Sequence, residues 1–173
     1  METVNKQLSD ELLHMAEVDQ DMRTKVINLE GEWDSSIDET NQSRMIEIVD
    51  EEGWPTIPMV GEEASNAAWL IVQHAPSLEF MEKCLQLMKS YPASEVNPAN
   101  IAYMEDRVLM LNSKPQIYGT QFQGTGKDMH VYTVEDPEHV DERRASVGLG
   151  TFAENEERIR KNHTNLTSIH PKS

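Results

Sequence analysis

The sequence predicts a mainly α single domain, a helical bundle of about six or seven helices with one small antiparallel β-hairpin. Three observations carry this. Most of the chain repeats apolar residues at three-and-four spacing, broken by Gly, Pro and good N-cap residues. One stretch, residues 114–122, instead interleaves β-formers with uncharged hydrogen-bonding side chains. No Pro/Gly/Ser-rich linker divides the 173 residues, a length at which one hydrophobic core closes without metal or disulfide staples. The globular part is expected over residues 1–161, with 162–173 as an unfolded, disordered tail.

A first helix is expected over residues 5–29, with Leu8, Leu12, Met15, Met22 and Val26 as one apolar stripe. Asp19 falls inside that stripe, and Arg23 follows it at i+4. A carboxylate on a core face is costly unless paired. Two readings follow: a structural Asp19–Arg23 pair tying this helix to a neighbour, or two side chains that look into a pocket. Asp34 can cap a second helix that lasts to Gly53; its polar composition places it on the surface. Residues 54–61 carry two prolines and read as an extended connection.

From about Glu62 the chain turns helical with apolar residues on every side, the pattern of a helix buried at the centre of the fold. His74 stands where that helix ends. It reads either as a satisfied core histidine or as an acid/base group where a buried helix surfaces. Ser77 caps the next helix, in which Cys84 is a small hydrophobe of the core stripe. Asn97-Pro98 starts another, with Ile101, Met104, Val108 and Leu111 buried and Asp106 and Arg107 available for salt bridges.

The hairpin follows, with strands at 114–122 and 129–134 joined by a Gly-rich turn. Alternation puts Gln116, Tyr118 and Thr120 on one face and Ile117, Gly119 and Gln121 on the other. Of the two glutamines, the Gln116–Tyr118 face is the one expected to line a pocket. Asp136-Pro137 opens a further helix carrying His139, Arg143 and Arg144. Thr151-x-x-Glu154 resembles a capping box for a last helix to about Lys161.

Charge and cysteine usage narrow the classes. The chain holds 31 acidic and 15 basic residues, a formal net charge of −16, which repels phosphate backbones and anionic lipid. Nucleic acid and membrane surfaces are therefore not expected partners. A single cysteine forbids an intramolecular disulfide and a multi-cysteine metal site. Residues 1–5 show no basic region followed by an apolar run, and no stretch reaches the ~20 apolar residues of a membrane span. A soluble cytoplasmic protein is the expectation.

The pieces Met15-x-x-x-Asp19-Gln20-x-x-Arg23, Gly53-Trp54-Pro55, Gln73-His74, Asp106-Arg107-Val108, Gln116-x-Tyr118-Gly119-Thr120-Gln121 and Arg143-Arg144-x-x-Val147-Gly148-Leu149 occur in one order. Together they resemble an uncharacterised, mainly bacterial family, domain-of-unknown-function family 6624, over about residues 5–155. The resemblance implies no activity. It implies that Asp19, Arg23, His74, Asp106, Arg107, Gln116, Tyr118, Gln121 and Arg144 belong to a common site or core.

The leading functional reading is a metal-independent enzyme, without cofactor, acting on a small polar or carboxylate- or phosphate-bearing substrate by hydrolysis, acyl transfer or cyclisation. His74 is the general acid/base, and Asp19 orients it or serves as a second such group. Arg23, Arg107 or Arg144 clamps an anion, while Gln116, Tyr118 and Gln121 orient the substrate or steady an oxyanion. The pocket is expected between the first helix, the end of the buried helix and the hairpin. The alternative is a non-catalytic protein in which the same residues bind a ligand or partner; a related version, an acidic immunity or inhibitor protein, works through the acidic helix at 34–52 instead. A metal enzyme ranks third, since His14, His74, His130, His139, His163 and His170 include no H-x-x-x-H pair.

Overall fold

The computed structural model describes residues 4–124 and 126–164. Among these residues there are eight α-helices and one two-stranded antiparallel sheet, the mainly α fold with a small hairpin that the sequence predicts. They group into two units, 1–101 and 102–173, divided inside a helix and not at a linker.

The first unit holds α1 (Lys6–Ile27), α2 (Ser35–Glu52), α3 (Ile57–Val60), α4 (Glu62–Gln73) and α5 (Leu78–Lys89). Local chemistry sets their ends. The Asn5 side chain accepts from Leu8 N–H, Asp34 from Ser36 N–H and Ser77 from Phe80 N–H. Gly53 ends α2 with φ +81°. α4 is the hub, packed by α1, α2, α3 and α5, because Ala64, Ala67 and Ala68 let neighbours approach closely while Ile71 and Val72 fill the core. The connection after Gly53 is not wholly extended. Pro58 sits in the first turn of α3, where a missing N–H costs nothing, so a proline there permits a helical turn.

α6 (Pro98–Leu111) spans the unit boundary, with Met104 and Val108 buried but Leu111 exposed. The second unit continues with β1 (Phe122–Gln123), β2 (His130–Val131), α7 (Val140–Ser146) and α8 (Phe152–Thr164). β1 pairs with β2 in the register Phe122↔Val131 and Gln123↔His130. The hairpin is thus much shorter than expected. Residues 115–121 form a loop, with only an isolated parallel bridge from Gln116 to Val134. Asp136 does not cap a helix: it is left-handed, φ +43°, and a short 3₁₀ turn, Pro137–His139, precedes α7. The capping box holds, since Thr151 N–H donates to Glu154 and Glu154 N–H to Thr151. α8 runs on to Thr164, past the expected end near Lys161, and residues 165–173 lie outside the described residues.

Gly119 has φ +65°, and a Cβ there meets the Phe152 ring at 2.8 and 2.9 Å. The space beside this glycine is filled by the chain's own Phe152 ring. Gly119→Ala is expected to cost about 2–4 kcal/mol, from left-handed strain plus overpacking, read by urea unfolding. A variant as stable as the parent contradicts this placement.

Candidate functional site

α1 presents Asp19 on its core face, as its place in the apolar stripe predicts, and the carboxylate is fully buried. His74 caps the C-terminus of α4, the helix against which α1 packs. Nδ1 of His74 lies 3.1 and 3.0 Å from the two Asp19 oxygens. Gln20 Nε2 donates to Oδ2 at 2.8 Å, and Arg23 Nη1 to Oδ1 at 2.8 Å. Burial pushes the Asp19 carboxyl up, but the His74 hydrogen bond and charge, with Gln20 and Arg23, outweigh it and hold the group below its ordinary value. An ionised carboxylate only accepts, so Nδ1 of His74 carries a proton, and in the neutral imidazole Nε2 then holds the lone pair. Nε2 has no hydrogen-bond partner among the described residues, and the His74 side chain is 20% exposed.

Arg23 joins this pair to a second carboxylate. Its Nη2 donates to Asp38 of α2 at 3.0 and 3.2 Å, and its guanidinium lies over the Trp33 ring at 4.8 Å. Both Nη atoms are engaged by carboxylates of the chain itself. Asp38 is buried, and burial pushes its carboxyl up against the pull of Arg23. Oxygens of Asp19 and Asp38 and a ring nitrogen of His74 lie within 4.8 Å of one another, a spacing that suits metal ligation. The cation among them is Arg23.

The other expected site residues, Arg107, Gln116, Tyr118, Gln121 and Arg144, lie in the second unit around the 115–121 loop. Asp106, expected in salt bridges and, by the resemblance, in a common site or core, is fully buried at the centre of that loop. Its carboxylate accepts from the N–H groups of Ile117 (2.7 Å), Tyr118 (3.0 Å) and Thr120 (2.9 Å), and from the Thr120 hydroxyl (2.9 Å). Burial pushes this carboxyl up while those donors pull it down, with burial the larger. The carbonyls of the same residues face two arginines. Arg143 donates to Ile117 O at 2.8 Å, and Arg144 to Tyr118 O at 2.8 Å and Gly150 O at 2.6 Å.

Gln116 braces the loop from inside. Its amide donates to Gln121 O (3.0 Å) and Tyr132 O (2.9 Å) and accepts from Gln121 N–H (2.9 Å). Gln121 bonds Thr120 and receives a 3.4 Å contact from Arg107. The alternating polar residues therefore close a loop's backbone hydrogen bonds instead of lining one strand face. Gln116 and Arg144 are buried and engaged, and Tyr118, half-buried, has no partner for its hydroxyl among the described residues.

Sequence reasoning missed Asp38 and Trp33. A signal for Asp38 existed: Asp38, Asn41, Met45, Ile48 and Val49 follow three-and-four spacing and are all buried. Nothing in the pattern marks Trp33. The acidic helix is also less free than its composition implies, because Asp38 pairs with Arg23, Glu47 with Arg44 and Asp50 with Lys83. Cys84 is a buried core residue whose thiol is pushed up to about 12 by burial.

The sequence matches the family of unknown function DUF6624 over residues 6–166. No curated protein and no solved structure matches the chain. No helix among the described residues is long and apolar enough to cross a membrane.

Proposed function

The chain belongs to family DUF6624, and we propose, from its Asp19–His74 pair, that it is a metal-independent enzyme using general acid/base chemistry on a small polar molecule in the cytoplasm. The observation that carries this is the orientation of His74. Its Nδ1–H is held by an ionised, buried carboxylate, and its Nε2 lone pair is left for a proton from water or a substrate group. Such an arrangement fixes the tautomer and steadies the imidazolium that forms when the proton arrives. Cys84, buried and with a raised thiol, does not supply a nucleophile, so an activated water or a substrate group attacks. Hydrolysis, acyl transfer or cyclisation fits this chemistry.

A panel of chromogenic esters, amides and phosphoesters, assayed with and without EDTA, tests the reading. Turnover is expected to survive EDTA. It should fall in step with carbethoxylation of His74, mapped by mass spectrometry, and return with hydroxylamine. Loss of turnover in EDTA, or turnover by protein fully modified at His74, counts against the reading.

A further inference from the structure

Asp38 is the one carboxylate of this cluster with acceptor capacity to spare. Asp19 takes three donors, from Arg23, Gln20 and His74. Asp38 takes only the Nη2 of Arg23, although an ionised carboxylate offers about four lone-pair sites. It is 8% exposed, so bulk water does little to satisfy the remainder. A buried carboxylate short of donors is unfavourable on its own and is relieved by any cationic donor brought to it.

The cluster is net negative: with His74 neutral, Asp19, Asp38 and Arg23 sum to −1, and the whole chain carries −16. Arg23 is the cation of the cluster; its two Nη atoms are committed to the carboxylates and its face to Trp33. It is thus poorly placed to clamp a phosphate or carboxylate. Trp33 itself is 47% exposed, an aromatic surface of the kind that attracts organic cations.

We propose that Asp38 is a specificity-determining residue of the His74 site, accepting hydrogen bonds from an ammonium or amidinium group, so that the substrate is cationic and anionic molecules are rejected. This rests on the acid/base reading of His74 and narrows its substrate class. Asp38 holds the charged group while Nε2 of His74 handles the proton.

The test is a titration of ¹⁵N-histidine-labelled protein at pH 8 and constant ionic strength, following the His74 imidazole signals. The probes are ethylammonium chloride and sodium phosphate. Ethylammonium is expected to give a saturable shift that is at least tenfold weaker in Asp38→Asn. In Asp50→Asn, which removes one charge from the far end of α2, the shift should be unchanged. Phosphate is expected to give no saturable shift. Saturation by phosphate at a lower concentration than ethylammonium, absence of saturation by ethylammonium, or equal ethylammonium binding in Asp38→Asn would each overturn the proposal. The comparison of the two probes in the unsubstituted protein stands even where Asp38→Asn does not fold. Ethylammonium binding with turnover that persists after His74 modification removes the acid/base reading alone. Turnover lost with that modification, without an ethylammonium site, removes the Asp38 assignment alone.

Discussion

Asp19→Asn is expected to lower turnover by a factor of about 10³ in a protein that still folds. The substitution keeps the shape of the side chain but replaces one acceptor oxygen with an NH₂ group. Whichever oxygen it replaces, that group faces two donors within 3.1 Å: His74 Nδ1 with Arg23 Nη1 at Oδ1, or His74 Nδ1 with Gln20 Nε2 at Oδ2. One arrangement relieves the clash by turning His74 to the Nε2–H tautomer, which removes the lone pair that acts as base.

The stability cost of Asp19→Asn depends on pH in a defined sense. The folded-state carboxyl lies below its ordinary value of 3.8, so its contribution is present above that value and is lost as pH falls through the folded value. In urea unfolding, the gap between parent and variant should be present above about pH 4 and should narrow as pH falls below it. A gap that widens as pH falls below about 4 contradicts the assignment of an ionised, charge-paired Asp19.

The largest effect on stability is expected from Asp106→Ala. Removing this carboxylate leaves three backbone N–H groups and the Thr120 hydroxyl without their acceptor, in a place fully closed to solvent. Each buried donor left unsatisfied costs about 1–3 kcal/mol, and entering water recovers part of this, so a loss on the order of 4 kcal/mol follows. The loop should open first, because Arg143 and Arg144 then hold its carbonyls with nothing organising the N–H groups of Ile117, Tyr118 and Thr120. Amide exchange at Ile117, Tyr118 and Thr120 should rise well beyond that of α4. Unchanged protection there would place the organising contact elsewhere.

The helices were legible because their ends are written locally. Asp34 with Gly53, Ser77, Asn97-Pro98 and the Thr151–Glu154 box each act within a few residues, and the apolar stripes between them fix the buried faces. Asp19 was legible as an exception to such a stripe, and its partner Arg23 follows at helical spacing. The 115–121 loop was not legible as a loop. Its β-formers and polar residues satisfy one another through Asp106, 11 to 14 positions earlier, and through Arg143 and Arg144, about 26 positions later. Gln116 and Thr120, four positions apart, are drawn to the buried side by hydrogen bonds, which mimics part of a strand's alternation. Asp38 escaped for a related reason: a stripe that begins with Asp and Asn reads as a polar helix end until its burial is seen.

If Asp19 holds His74 as the Nδ1–H tautomer with a free Nε2, long-range ¹H–¹⁵N correlation of histidine-labelled protein at pH 8 reads this directly. A pyrrole-type Nδ1 and a pyridine-type Nε2 are expected for His74, lost or averaged in Asp19→Asn. A pyrrole-type Nε2 in the unsubstituted protein would contradict it.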